Sequence, residues 1–284
     1  YAVCLTHPTR GIIVAGGSDG TTHHDAAYLI RVEAGAMDIE ALPPLPVPSS
    51  EAAGALMGDL VCIVGGRDAP NSTTASNRLW TLDLAVPGAD WIERAPLPDG
   101  GRILPVTGSH GGQLLVFSGC ELVDGRREYR TDARAWNPGD DTWTRLAELP
   151  HPAAGAPSPA ITVGHDALVL LGGDDGTHAG RADELRDAHP GFSDTLLVYS
   201  PITDTWRSGG TFPRLDEGVP GDPASSRWPV VTVPTVPVEG GVIVPSGEMR
   251  PRVRSERLLM IRPVLPSGQL ASMDWIVIAI YLLA

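Results

Sequence analysis

Short apolar runs that end in small residues recur along the chain about every fifty residues. An apolar stretch precedes these runs, and two further stretches with aromatic residues follow most of them. Four such stretches per repeat predict four short strands, which is the make-up of one blade of a β-propeller. The five runs are GIIVAGG (11–17), LVCIVGG (60–66), QLLVFSG (113–119), ALVLLGG (167–173) and GVIVPSG (241–247).

Aromatic residues behind these runs share a common spacing. Trp136 and Trp143 are seven residues apart, as are Tyr199 and Trp206, and a short polar turn separates the members of each pair. A twisted four-stranded sheet cannot bury both faces alone, so bulky side chains of the outer strands should fill the wedges between stacked blades. The glycine pair followed by spaced aromatics resembles the kelch repeat.

The repeat therefore predicts an all-β fold, a kelch-type β-propeller with five blades present of an expected six. We place the blades at 1–46, 47–98, 99–150, 151–213 and 226–265, so the propeller domain covers residues 1–265. Tyr1 already lies in a predicted strand, and the fifth repeat lacks a clear tryptophan-bearing last strand. We expect the sequence to be part of a longer protein that supplies the sixth blade.

The composition agrees with this fold and excludes several functions. Of the 284 residues, 33 are glycine and 27 are proline, while 19% are charged, which suits short strands and tight turns better than helices. The formal net charge of −13 argues against nucleic acid as a partner, because nucleic acid needs clustered positive charge. All 21 basic residues are arginine, which excludes lysine Schiff-base chemistry.

The cysteines and histidines do not form a recognisable metal motif. Cys4, Cys62 and Cys120 are odd in number and lie mostly in apolar runs, so we expect buried free thiols. Neither a CxxC nor an HxxxH pattern occurs, and the adjacent histidines of THH (22–24) are more typical of a solvated loop than of a zinc site. We predict neither a metal site nor a cofactor.

The last residues differ from the repeats. The segment MDWIVIAIYLLA (273–284) carries no charge after Asp274 and resembles the start of the first helix of sodium/solute symporters. We expect a linker at 266–273 and the start of a transmembrane helix at 274–284, with a terminal strand or closing segment as the alternative.

This resemblance implies a transporter portion, through which sodium would be a partner, and contact with the membrane through the C-terminal segment. It also implies an extracytoplasmic (periplasmic) propeller. No basic residue lies between Arg262 and the end of the sequence, so the segment before the apolar run lacks the positive charge of a cytoplasmic flank.

Polar residues follow the glycine-rich end of each second strand. The loops that join second and third strands emerge on one face of a propeller, so these residues should converge on one funnel, which is the usual ligand site. The alternative is that they are ordinary turn residues. The residues are Ser18, Asp19, Arg67, Asp68, Glu121, Asp174, Asp175 and Glu248.

The loop of the fifth repeat, VPSGEMRPRVRSE (244–256), places one acid among several arginines. Glu248 precedes Arg250, Arg252 and Arg254, and Arg257 follows the loop. Glu248 and Arg254 are six residues apart, so a compact turn would bring both to the funnel. The alternative is a surface loop whose arginines pair with neighbouring acids.

Residues 167–257, with LLGGDDGTHAG, LLVYSPITDTW and VPSGEMRPRVR, resemble the kelch-type N-acetylneuraminate epimerases, or sialic acid mutarotases. The resemblance implies that Glu248 is the catalytic acid and base, and that Arg254 binds the carboxylate of an acidic sugar such as sialic acid. Arg252 stands where the family pattern has glycine, and the order of the blades looks cyclically permuted. The alternatives are a non-catalytic sugar-binding propeller of a transporter and a copper enzyme similar to galactose oxidase.

Further binding residues are predicted around Glu248. Asp174, Asp175 and His178 open a long insertion between two strands, and such insertions are often binding loops. Arg102 and Arg227 each come just before a predicted innermost strand and should rise at the same face. We expect these five residues to contact the sugar.

Overall fold

The computed structural model describes residues 1–212 and 230–262 as a series of antiparallel sheets. The first blade consists of β1 (Val3–His7), β2 (Gly11–Ala15), β3 (Ala27–Glu33) and β4 (Ala36–Leu42). The second consists of β5 (Ser50–Met57), β6 (Leu60–Arg67), β7 (Leu79–Asp83) and β8 (Ile92–Arg94). Both sheets have their strands in sequence order, as up-and-down blades do.

The other three blades carry insertions between their second and third strands. The third runs through β9 (Val106–His110), β10 (Gln113–Phe117), a hairpin of β11 (Cys120–Val123) and β12 (Arg126–Tyr129), β13 (Ala133–Asn137) and β14 (Thr142–Leu146). The fourth runs through β15 (Ile161–Val163), β16 (Ala167–Gly173), the short helix α1 (Ala182–Leu185), a 3-10 turn (Arg186–Ala188), β17 (Ser193–Ser200) and β18 (Thr205–Thr211). The described part of the fifth runs through β19 (Val236–Val238), β20 (Gly241–Pro245), a hairpin of β21 (Glu248–Arg250) and β22 (Val253–Arg254), and β23 (Leu258–Ile261).

The predicted all-β propeller is confirmed, and the five sheets lie inside the five predicted repeats. Within residues 1–212 and 230–262, no helix is long and apolar enough to cross a membrane. The predicted linker at 266–273 and the predicted membrane helix at 274–284 lie outside the described residues.

Tryptophans in or just before the last strands of the second, third and fourth blades tie each of these blades to the one before it. Each indole N–H donates a hydrogen bond to a backbone carbonyl just past the last strand of the preceding blade, so the ring fills the wedge as predicted. The bonds run from Trp91 to Pro43 (2.8 Å), from Trp143 to Ala95 (2.8 Å) and from Trp206 to Ala147 (2.9 Å).

An aspartate in the polar turn completes this contact in two blades. Asp141 accepts hydrogen bonds from the fully buried Trp136 indole at 2.8 Å and from the backbone N–H of Ala95 at 3.0 Å. Asp204 does the same with the Tyr199 hydroxyl at 2.7 Å and the backbone N–H of Ala147 at 2.8 Å. The seven-residue aromatic spacing thus places two rings and an acid at one interblade contact.

Near the propeller axis, one residue in each of the second to fifth blades donates a backbone hydrogen bond to the preceding blade. The N–H of Glu51 donates to the carbonyl of Tyr1 (3.2 Å), Leu104 to Glu51 (2.7 Å), Gly155 to Leu104 (2.8 Å) and Thr232 to Gly155 (2.7 Å). All four donors have a left-handed backbone, with φ between 54° and 63°. We call these four the axial residues. Because the backbone alone makes these hydrogen bonds, the fold does not restrict which side chain stands at the four axial positions.

Candidate functional site

A cleft of about 880 Å³ opens on the face where the loops between second and third strands emerge. Its wall combines the ends of second strands with the β11–β12 hairpin, the insertion of the fourth blade and the β21–β22 hairpin. The charged and aromatic residues of the wall are Tyr1, Glu51, Arg67, Arg126, Arg127, Tyr129, Asp174, His178, His189, Phe192, Glu248 and Arg252.

Three of these residues occupy equivalent places in their blades. Arg67, Asp174 and Glu248 each lie at the end of the second strand of their blade. Each pairs there with the residue that comes just before the axial residue of the same blade. Cys120 has this place in the third blade, where it is fully buried. The predicted convergence of second-strand ends is therefore seen for these three side chains.

The backbone around Glu248 is held close to the innermost strand. The N–H of Glu248 donates to Val231 at 2.9 Å, and Val231 donates back at 2.8 Å. Gly247, just before it, has φ of 104°, and a Cβ there would lie 2.5 Å from a Val230 methyl carbon. Only glycine allows this approach, so the Gly-Glu pair of the sequence fixes the carboxylate at the cleft.

The Glu248 carboxylate meets an aromatic hydroxyl from the first blade. The Tyr1 hydroxyl donates to Oε1 of Glu248 at 2.6 Å. Burial, and next this hydrogen bond, raise the pKa of the Tyr1 phenol to about 12, so the phenol remains a donor across the physiological range.

Arg254 pairs with Glu248 across the hairpin, as the predicted compact turn requires. Its guanidinium carbon lies 5.9 Å from the centre of the Tyr1 ring, within cation–π range. Arg254 lines a smaller cavity of about 220 Å³ along the axis, and it is not part of the wall of the large cleft.

Two other arginines of this hairpin pair with acids of the fourth-blade insertion. Arg250 lies 3.0 Å from Asp187, and Arg252 lies 3.0 Å from Asp183. For these two residues the structure shows the alternative interpretation, in which the arginines pair with neighbouring acids. Arg252 has φ of 67°, so the hairpin keeps the left-handed conformation that glycine would favour at this position.

Asp174 is the centre of a second tyrosine–carboxylate pair. The Tyr129 hydroxyl donates to its Oδ2 at 2.6 Å, and the N–H of Gly176 donates to its Oδ1 at 3.0 Å. Burial and the charge of Asp174 raise the pKa of the Tyr129 phenol. Asp175 instead accepts the N–H of Thr177 at 2.9 Å within its own turn and is not part of the cleft wall.

His178 packs against a second histidine that the sequence did not single out. The ring centres of His178 and His189 are 5.2 Å apart, and both rings line the cleft. Burial, and next the charge of His178, lower the pKa of His189. Nδ1 of His178 is buried and forms no hydrogen bond within the described part of the chain. The long insertion therefore does contribute to the cleft wall.

The structure places Arg102 away from the cleft, contrary to the prediction. Its side chain is 1% exposed and donates to the Ser118 carbonyl at 3.0 Å and to Asp132 at 2.7 Å. A residue just before an innermost strand can therefore point its side chain into the protein interior and not into the cleft. The predicted binding residue Arg227 lies outside the described residues.

The remaining acids of the predicted funnel make local contacts. Asp19 accepts hydrogen bonds from the N–H groups of Thr21 and Thr22, and Asp68 accepts one from the Ser72 hydroxyl. Glu121 lies 3.4 Å from Arg130. None of these three acids belongs to the cleft wall within residues 1–212 and 230–262. This supports the turn-residue alternative for Asp19 and Asp68, whereas Glu121 lies on β11.

Several charged and aromatic residues of the cleft wall were missed from the sequence, namely Tyr1, Glu51, Arg126, Arg127, Tyr129, His189 and Phe192. Glu51 begins the small-residue strand EAAGALM, in which it is the only charged residue, and this isolation was an available signal. Arg127 lies in ELVDGRREY (121–129), where Asp-Gly between polar and apolar residues is a hairpin signal.

The described residues contain no group of three or more histidine, cysteine, aspartate or glutamate side chains that could hold a metal ion. The three cysteines are free thiols. Burial raises the pKa of the Cys62 and Cys120 thiols to about 12, so neither is a reactive thiolate at neutral pH.

Several proteins named N-acetylneuraminate epimerase are similar to this chain. That of Haemophilus influenzae (strain 86-028NP) is 32% identical over 194 residues, which make up 60% of this chain and 49% of that protein. That of Pasteurella multocida (strain Pm70) is 29% identical over the same length. That of Yersinia pestis (strain Pestoides F) is 27% identical over 242 residues, or 76% of this chain and 56% of that protein. The chain spans about half the length of these relatives.

A solved structure supports the fold. The structure of YjhT superposes with a TM-score of 0.58 at 20% sequence identity, over 80% of this chain and 69% of that one. The chain matches no protein-family model.

Proposed function

We propose that the protein is a mutarotase of the N-acetylneuraminate epimerase type, acting on the anomeric centre of sialic acid or a related acidic sugar. The observation that carries the proposal is the fixed Glu248 carboxylate at the cleft, with a tyrosine hydroxyl donor and arginines beside it. The names of the relatives support the same substrate and reaction.

The reaction needs one group that can both accept and donate a proton. Glu248 would take the proton of the anomeric hydroxyl and deliver a proton to the ring oxygen, so that the ring opens to a ketone. After rotation about the bond to the former anomeric carbon, the same steps run in reverse on the other face. No atom is gained or lost, which agrees with a cleft that needs no cofactor for this step.

Arginines give the cleft affinity for an acidic sugar, because a guanidinium matches a carboxylate with two parallel hydrogen bonds. The sequence resemblance assigns this contact to Arg254, which the hairpin places across from Glu248 but which is not part of the wall of the large cleft. Asp174 and His178, which line the same cleft, are proposed to contact hydroxyl groups of the sugar. Asp175, Arg102 and Arg227 carry no such proposal.

The test is the relaxation of the pure α anomer of N-acetylneuraminate, followed by proton NMR with the full-length protein. We expect acceleration by the parent protein and a rate close to the uncatalysed one with Glu248→Gln, which keeps the shape but cannot accept a proton. Glu256→Gln is the matched control, because Glu256 is exposed just beyond the same hairpin. Equal acceleration by the parent and Glu248→Gln would exclude the catalytic role, and sugar binding without any acceleration would favour the non-catalytic binding propeller.

We also propose, from the sequence alone, that the propeller is coupled to a sodium/solute symporter and lies outside the cytoplasmic membrane. A mutarotase at that place would convert the released anomer into the one that the transporter accepts. Protease added to intact spheroplasts should remove the propeller and leave a membrane-embedded remainder. A propeller that is protected until the membrane is broken would contradict both the location and the coupling.

A further inference from the structure

An ionic cluster around a buried glutamate lies in the cleft wall on the side of the second and third blades. Glu51 is 5% exposed, and its Oε2 lies 2.6 Å from Nε of Arg67. Its Oε1 lies 3.6 Å from the guanidinium of Arg127, which the β11–β12 hairpin supplies. All three residues belong to the wall of the large cleft.

The fold does not require a charge at position 51. Glu51 is an axial residue, and Leu104 and Gly155 make the same backbone hydrogen bonds with uncharged side chains. Glu51 also keeps a left-handed backbone, with φ of 59°, which strains any residue other than glycine. A buried acid at a strained position that leucine or glycine can fill points to a role for its carboxylate.

The contacts within the cluster are incomplete. Arg67 Nε and Glu51 Oε2 are close enough for an ion pair but are not aligned as a hydrogen bond, and both atoms are buried. Arg127 contacts a carboxylate once within the described residues, at 3.6 Å, and its side chain is 45% exposed. Its planar group therefore has donors available to a ligand in the cleft.

The charge balance of the wall favours an anion. The chain carries a net charge of −13. The cleft wall, in contrast, has four arginines against three carboxylates, and one of these arginines, Arg252, pairs with Asp183 outside the wall. In the cluster itself two arginines face one glutamate. Asp174 acts on Arg127 from a longer distance, but its own short contact is with Tyr129.

We propose that Arg127, with Arg67 beside it, binds the carboxylate of the acidic sugar in the large cleft, and that Glu51 is a positioning residue that holds the two guanidinium groups. The proposal rests on the proposed function and refines it, because it assigns the carboxylate contact to these residues in place of Arg254. Arg254 lines the smaller axial cavity and lies against Tyr1, outside the wall of the large cleft.

The test compares N-acetylneuraminate with its neutral methyl ester in the full-length protein. For the parent protein we expect a KM for the ester about 10- to 100-fold above that for the acid, as is typical for losing a charged hydrogen bond. In Arg127→Ala the KM for the acid should rise by a similar factor, while the KM for the ester and both kcat values change by less than about threefold. Arg127→Lys should recover part of the discrimination, because it restores the charge but not the planar fork.

Arg145→Ala is the matched control, since Arg145 lies exposed on β14 of the same blade and pairs with Glu148. If Arg127→Ala weakens acid and ester equally, the role is structural and the proposal is wrong. It is also wrong if Arg254→Ala alone abolishes the discrimination.

The test of this carboxylate subsite can succeed or fail independently of the test of the proposed mutarotase function. Calorimetric titration of acid and ester into Glu248→Gln measures binding without turnover. Preference for the acid that depends on Arg127 would support the subsite even if Glu248→Gln retained full mutarotase activity. If neither Glu248→Gln nor the parent protein binds the acid more tightly than the ester, the proposed carboxylate subsite is wrong.

Discussion

The Tyr1 hydroxyl donates a 2.6 Å hydrogen bond to Glu248, so the first and fifth blades meet at the proposed catalytic carboxylate. A ring of blades can bring residues from distant parts of the chain to one point near its axis. The tyrosine cannot transfer a proton readily at neutral pH, because its pKa is raised to about 12. It therefore acts as a fixed donor, which leaves proton transfer to the carboxylate.

This contact predicts a change in the titration of Tyr1. Burial is the larger cause of its raised pKa, and the hydrogen bond to Glu248 is the next. In Glu248→Gln the pKa of the Tyr1 phenol should fall but stay above its ordinary value of about 10. NMR of ring-labelled tyrosine against pH measures this, and Tyr199, whose partner Asp204 is unchanged, serves as the internal control. An unaltered Tyr1 titration would show that the hydrogen bond does not form in solution.

The turn of the β21–β22 hairpin predicts opposite effects for two substitutions of Arg252. Relief of the left-handed backbone by glycine is worth about 1–2 kcal/mol, whereas the exposed ion pair with Asp183 is worth about 0–1 kcal/mol. Arg252→Gly should thus be neutral or stabilising, and Arg252→Ala should be destabilising because it loses the pair and keeps the strain. Urea unfolding of both variants measures the difference, expected at about 1–2 kcal/mol. Equal stabilities would mean that the turn relaxes without glycine.

The fold was predictable because its signals are local and repeated. The apolar run of β6 and the paired rings of Trp136 and Trp143 mark strands and interblade wedges without knowledge of distant contacts. The position of Glu248 was predictable for the same reason, since Gly247 and the following hairpin fix it within a few residues.

The direction of a side chain at the rim was not predictable in this way. Arg102 stands just before an innermost strand, but it turns inward because Asp132, thirty residues later, and the Ser118 carbonyl satisfy its charge. Glu51 and Arg127 belong to different blades, and only the packing of those blades brings them within 3.6 Å. Such pairs depend on the distance between residues that are far apart in the sequence, and a local sequence pattern does not reveal that distance.

Acidic conditions should weaken the folded protein through His189. Burial, and next the charge of His178, lower the pKa of His189; Arg250 acts in the same direction and Asp174 opposes it. The unfolded chain therefore binds this proton at a higher pH than the folded protein does. The resulting stability is present above the ordinary histidine pKa of about 6.5 and is lost as the pH falls towards the lower folded value.

Urea unfolding between about pH 7.5 and about pH 5 measures this loss. His189→Asn retains an acceptor near the position of Nδ1 for the Gly191 N–H but does not titrate, so its stability should fall less over this range. His165→Gln, at an exposed position, should follow the parent protein. A parallel decline in all three proteins would assign the effect to other groups, among them His23, whose pKa is lowered by burial and next by Arg67.

The interblade aspartate predicts the largest loss of stability. Asp141→Ala leaves the N–H of the fully buried Trp136 indole and the Ala95 N–H without their acceptor, and it places alanine at φ of 54°. A buried donor without a partner costs about 1–3 kcal/mol, so we expect a total loss of about 2–4 kcal/mol.

Asp140→Ala is the neighbouring control, because the Asp140 carboxylate accepts only the exposed Thr142 hydroxyl within the described residues, and it should change stability by less than about 0.5 kcal/mol. Equal unfolding midpoints for the two variants would show that the aspartate does not support the contact between the second and third blades.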